Sequence, residues 1–233
     1  ILVSEPGRAF LHEQLIEYIW PDTGYDQALS FLRARIHNLR QKLEPNSKSS
    51  HSIIETIAGG YRFRLTDECH IDTIQFAKLL KQAERAKEEE AYAEALELYE
   101  RAIERYGGEY LPEDRYEEWA RDWRRLFEGM YVQALVDLAE CCVCEGQHRR
   151  AVELCRQAYT LDPYSEDIYR NAMTYAHLMG NSNQALRIYE ECCEVMRAEQ
   201  GKDPDRDTKT LRDQIASGHV PGIDPEYKRP VIL

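Results

Sequence analysis

The chain has 233 residues, with 30 Lys+Arg against 42 Asp+Glu and a formal net charge of −12. That length suits one or two domains with a sizeable buried core, and no stretch approaches the ~18 consecutive apolar residues of a membrane-spanning helix. The seven cysteines fall mostly inside helical patterns, with adjacent pairs at Cys141-Cys142 and Cys192-Cys193, a spacing that suits reduced cytosolic thiols rather than a secreted disulfide framework.

Leu11 to Trp20 reads as an amphipathic helix and Pro21-Asp22-Thr23-Gly24 as a turn, with Asp26 as the expected cap of the next helix. From Leu29 the apolar residues fall at Leu29, Leu32, Ile36, Leu39 and Leu43, which puts all five on one helical face and predicts that this face is core. The opposite face carries Ser30, Phe31, Ala34, His37, Asn38, Gln41 and Lys42, flanked by Arg33, Arg35 and Arg40. After Glu44-Pro45 ends the helix, Asn46 to His51 reads as a polar loop. Ile53, Ile54 and Ile57 then supply a β-branched run, Gly59-Gly60 a turn, and Tyr61, Phe63 and Leu65 alternate with Arg62 and Arg64.

Charge is divided unevenly. Residues 1–66 hold 8 basic against 7 acidic residues, whereas residues 67–233 hold 22 against 35, so the acidity lies almost wholly in the second part. Between Arg33 and Arg64 the count is 7 basic to 2 acidic. A binding footprint depends on such a local patch more than on the net charge.

The segments LRARIHNLRQKLEPNSKSS and IIETIAGGYRF, preceded by EPGRAFLHEQLIEYIWPD, resemble the recognition helix, wing and preceding helix of the OmpR-type winged-helix DNA-binding domain. The resemblance places Ile1-Leu2-Val3 at the end of that domain's first helix, so its amino-terminal sheet and most of that helix are expected upstream. By resemblance, Asn38 aligns with a base-contacting position and His37, Arg40 and Tyr61 with phosphate contacts. The residues themselves leave alternatives open: Asn38 as a solvent-facing amide, and Arg40 as a stem covering the edge of the core. Arg62 and Arg64 suit either a minor groove or a soluble strand edge, and Ala58 stands where the family often has an arginine. The expected DNA-binding set is Ser30, Phe31, Arg33, Ala34, His37, Asn38, Arg40, Lys42, Tyr61 and Arg62.

From Asp72 onward the pattern is helical. Asp72 with Gln75 gives a cap-like start, a stripe of Phe76, Leu79, Leu80, Ala83 and Ala86 follows, and a long helix is expected from about Arg115 to Glu145. The run at Ala95-Leu96-Glu97-Leu98-Tyr99 recurs at Ala151 and again at Ala185. The second interval is 34 residues, the tetratricopeptide period, and the first exceeds it by 22, matching an inserted GGEYLPEDRYEEWARDWRRLFEG region. Asn181 with Gln184 repeats the cap-like start.

This second part resembles the bacterial transcriptional activator domain that follows an OmpR-type winged helix in SARP-type activators. The expected fold is mainly α: a partial winged helix-turn-helix with a β-hairpin wing over 1–66, an all-α tetratricopeptide-like domain over 67–217, and a loose tail over 218–233. The resemblance implies a bacterial, cytoplasmic activator that binds promoter repeats and recruits RNA polymerase. Its expected partners are double-stranded DNA, RNA polymerase and a further copy of the chain, with no membrane. A tetratricopeptide-type interaction scaffold whose winged helix binds no DNA is the alternative.

No cofactor, metal or catalytic residue is expected. Phosphate-loop, G-x-S-x-G and H-E-x-x-H motifs are missing from the sequence, and Cys141, Cys142, Cys144 and Cys155 suit packed helix positions better than a metal site. Trp119 and Trp123 read as core anchors rather than stacking platforms, because acidic residues surround them.

Overall fold

The computed structural model describes residues 1–44, 52–67 and 69–218, together with the backbone of Ile223–Asp224 and Arg229–Pro230. The polar loop expected over Asn46–His51 and most of the tail expected to be loose lie outside the described residues. The chain groups into two compact units, Ile1–Ile71 with Glu109–Leu126, and Asp72–Gly108 with Phe127–Leu233.

The first unit runs β1 (Ala9–Leu11), α1 (His12–Ile19), α2 (Tyr25–Leu43), β2 (Ile54–Ile57) and β3 (Gly60–Phe63), with an antiparallel sheet ordered β1-β3-β2. The pleat sends Phe10, Ile54, Tyr61 and Phe63 to one side, where they pack with Leu15 and Ile16 of α1 and Ala28, Leu32 and Ile36 of α2. This is the winged-helix arrangement, with β1 as a strand that periodicity alone does not reveal.

Three local expectations change. Asp26 is not the cap: Gly24 holds that position without a side-chain bond, and Asp26 sits in the first turn, where its carboxylate favours the helix dipole. Leu39 and Leu43 are 43% and 52% exposed, because the sheet and α1 cover α2 only as far as Ile36. The hairpin turns at Ala58-Gly59, since Ile57 pairs with Gly60. Gly60 is needed for another reason. A Cβ there would meet the Phe10 carbonyl oxygen of β1 at 2.0 Å, so only glycine lets β1 approach.

The second unit contains α3 (Asp72–Glu88), α4 (Tyr92–Arg105), the body of α5 (Arg121–Cys144), α6 (His148–Leu161), α7 (Glu166–Leu178), α8 (Ser182–Gln200) and α9 (Arg206–Ser217). Ala95, Ala151 and Ala185 are each fully buried, so the recurring alanine is the point where helices approach closely. Five residues before each, the chain turns through the left-handed region at Glu90 (φ 58°), Gly146 (φ 75°) and Gly180 (φ 82°). One residue later the backbone N–H groups of Ala91, Gln147 and Asn181 donate to Ala86, Cys142 and Ala176 at 2.7–2.9 Å. These bonds close each helix with the same reversal, and they show that α3–α4, α5–α6 and α7–α8 are copies of one unit. Asn181 accepts from the Gln184 backbone N–H at 3.1 Å, as its cap-like spacing predicts.

The long helix starts later than its periodicity suggests. Residues 109–120 form short 3-10 turns at Pro112–Asp114 and Glu118–Ala120. Arg124 holds them: its guanidinium donates to the carbonyls of Tyr110 (3.1 Å), Glu117 (3.4 Å) and Asp114. Ser4 and Tyr110 hydroxyls bond at 2.8 Å, tying the segment to the first unit. At the far end, Glu166 accepts from the Asp205 N–H (2.8 Å) and the fully buried Thr208 hydroxyl (2.7 Å), which docks α9 on α7.

Two outcomes test this account by urea unfolding. Gly60→Ala should destabilise the chain by about 3 kcal/mol, because the contact is with rigid backbone. Glu90→Gly should stabilise it by about 0.5–1 kcal/mol by removing a left-handed non-glycine residue from the first of the three equivalent turns; a loss of stability would show that the Glu90 side chain contributes more than the turn.

Candidate nucleic-acid interface

Three elements meet along α2. Its buried side, Ala28, Leu32 and Ile36, rests on the sheet, and a 19-residue helix of about 28 Å then presents its other side to solvent. Ser30, Ala34, His37, Asn38 and Gln41 are exposed along that side, and Arg33, Arg35 and Lys42 are exposed at its margins. From Gln27 to Leu43 there is no carboxylate. The face therefore combines amide, hydroxyl and imidazole groups, which can pair with base edges, with cations suited to flanking phosphates.

The other expected site residues occupy different settings. Phe31 is 44% exposed, with its ring edge-on to Trp20 at 6.1 Å, so part of it closes the α1–α2 corner. Tyr61 is buried, its ring 5.2 Å from His12. Arg40 is turned inward to the wing: Nε donates to the Ile54 carbonyl at 3.0 Å, Nη2 donates to Thr56 Oγ1 at 2.9 Å, and the guanidinium lies 5.9 Å from the Tyr61 ring centre. This joint fixes α2 against the hairpin.

On the outer face of the wing, Arg62 donates from Nε and Nη2 to one Glu55 oxygen at 2.9 and 2.6 Å, and Arg64 lies 3.8 Å from the other oxygen. One carboxylate thus holds two wing arginines. Sequence reasoning did not find Glu55 as a site residue. The signal was available, because a two-residue turn after Ile57 places residues 55 and 62 directly opposite. Glu44 connects the other end, accepting from Ser52 Oγ at 3.1 Å and from the Ile53 N–H.

Among the described residues, no group of His, Cys, Asp or Glu is arranged to hold a metal ion. Burial raises the thiols of Cys141 and Cys155 to about 12 and that of Cys142 to about 11, so these groups are protonated near neutrality. Among the described residues, no helix is long and apolar enough to cross a membrane.

Residues 1–63 match the family described as "Transcriptional regulatory protein, C terminal", and residues 71–216 match the "Bacterial transcriptional activator domain". The chain is 26% identical over 220 residues to the Regulatory protein AfsR of Streptomyces coelicolor, covering 92% of this chain and 21% of that protein. It is 24% identical over 205 residues to the Transcriptional regulator RedD of the same organism, covering 87% and 58%, so it spans only part of these relatives. The Transcriptional regulatory protein MoaR1 of Mycobacterium bovis is 21% identical over 215 residues, with 92% and 69% covered. The solved structure of Mycobacterium tuberculosis EmbR superposes with a TM-score of 0.84 at 19% identity, over 94% of this chain and 57% of that one, and so shares the fold. A winged helix with a donor-bearing exposed face, followed by stacked helix pairs and matched by a family over most of their length, leads to one conclusion: the chain belongs to the bacterial transcriptional activator domain family, in the SARP-type arrangement.

Proposed function

We propose that this chain is a sequence-specific DNA-binding activator, or the effector part of a larger regulator, that acts in the cytoplasm on promoter repeats and recruits RNA polymerase. The observation that carries the reading is the outer face of α2 from Gln27 to Leu43, which bears no carboxylate and is joined to the wing by Arg40. A major groove about 12 Å wide admits such a helix, and the exposed amide of Asn38 has the two-sided geometry that reads adenine. Ser30, Ala34 and His37 lie beside it for base edges, with Arg33 and Lys42 for phosphates. The exposed part of Phe31 suits a thymine methyl group. Arg40 and Tyr61 act by holding the helix and wing in register, and Arg62 reaches the backbone when it leaves Glu55.

Domain boundaries follow from the same reading: 1–66 bind DNA, 67–217 form the activator domain, and the inserted 109–126 segment supports the first unit. The second part, carrying 22 basic against 35 acidic residues, suits contact with proteins rather than with DNA. Its partners are RNA polymerase and a further copy of the chain on the adjacent repeat.

Fluorescence anisotropy on duplexes carrying the promoter repeat, and on single-base variants of it, provides the test. Asn38→Ala should lose about 1–3 kcal/mol of discrimination at one base pair while binding of unrelated duplex stays unchanged. An equal loss on every duplex would remove Asn38 from base reading. Glu55→Gln should release Arg62, tightening binding to all duplexes and steepening the salt dependence by about one contact. Weaker binding would mean that the carboxylate shapes the wing for its target instead of restraining it.

A further inference from the structure

We propose that the groove between α3 and α4 is a docking site for a short acidic peptide segment of a partner protein. The groove has a volume of about 620 Å3 and is lined by these two helices and by Glu89, just past the end of α3. It lies on the side of α3 opposite Lys87, whose ammonium pairs with Asp137 and Glu140 of α5, and among the described residues none from another helix lines it. Along α3 the lining positions 75, 78, 82 and 85 follow a single helical stripe that Glu89 continues just past its end, and on α4 positions 94, 98, 101 and 105 do the same. The floor is apolar, with Leu79 and Ala86 buried and Leu98 beside them.

Charge is distributed unevenly along this groove. Because α3 and α4 run antiparallel around the turn at Glu90, Lys78 faces Arg101 and Arg105 at the open end, away from the turn. At the other end Arg85 lies 3.9 Å from Glu89, and Glu94 adds a second carboxylate. Several other cations of the unit contact carboxylates: Arg150 with Glu100, Arg170 with Asp205 and Arg197 with Asp203. Lys78, Arg101 and Arg105 make no ion pair among the described residues. Three uncompensated cations thus converge within a chain of net charge −12.

A peptide fits this pattern better than a nucleic acid does. With axes about 8–10 Å apart α3 and α4 pack against each other, so the groove is a furrow along their seam that one extended chain can lie in and that is too narrow for a duplex. The acidic surroundings repel a long polyanion over about 8–10 Å of screening, whereas a short segment responds mainly to the cations it touches. From position 75 to 89 the groove runs for about 21 Å, room for roughly six extended residues. Alternation in such a segment would point carboxylates at the rim cations and apolar side chains at Leu79 and Leu98.

The experiment uses the full chain and a fluorescein-labelled heptapeptide of alternating Glu and Leu, with its Gln-for-Glu counterpart as control. Saturable, salt-sensitive binding of the acidic peptide alone is expected. The triple variant Lys78→Gln, Arg101→Gln, Arg105→Gln should weaken it by about tenfold, with circular dichroism unchanged. Glu94→Gln, which leaves the cations in place, should tighten binding and keeps the test decisive if the triple variant unfolds. Equal binding of both peptides, no binding, or affinity unchanged in these variants would overturn the proposal. So would loss of affinity for an unrelated duplex in the triple variant, which would assign the groove to nucleic acid.

Discussion

The bonds from Arg40 to the Ile54 carbonyl and the Thr56 hydroxyl are the constraint on which the first unit depends. A helix that packs on a small sheet through Ala28, Leu32 and Ile36 alone can still roll about its axis, since three apolar contacts are nearly non-directional. A planar guanidinium that reaches two acceptors on β2 removes that freedom. With the roll fixed, the residues left outside become a defined surface, and the wing lies at a set distance from it. Gly60 serves the same end by letting β1 close against β3, and Glu44 ties the end of α2 to the start of β2.

The second unit obeys a different constraint, repetition. Each helix pair reverses through one left-handed residue and then buries an alanine, so the pairs share one turn geometry. Departures from the repeat carry information because the background is regular. The 109–126 insertion groups with the first unit, and Lys78, Arg101 and Arg105 line one groove without an ion pair among the described residues.

Much of this was legible in the sequence. The outer face of α2 follows from a rotation of 100° per residue and needs no knowledge of the fold, and the repeat spacing of 34 identified the helix pairs. What was not legible comes from contacts between distant residues. Nothing near Ala9–Leu11 says that three residues form a strand; the glycine that permits it lies about fifty residues later. Leu39 and Leu43 share the angle of the core stripe but lie beyond the sheet that would cover them. The start of α5 is displaced by Arg124, whose acceptors lie 7 to 14 residues earlier. The settings of Arg40 and Arg62 likewise depend on partners across the hairpin. Local periodicity reports which face is exposed, whereas the side chains on its margin are decided by tertiary neighbours.

The most direct measurement is the affinity of the chain for a duplex carrying direct promoter repeats, across a series of salt concentrations. Contacts from Arg33, Lys42 and the wing should give log K falling with log salt at a slope of roughly −3, near −0.9 per phosphate contact. A slope near zero, or no binding by a chain shown to be folded, would contradict the account and leave the helical repeats as the functional part.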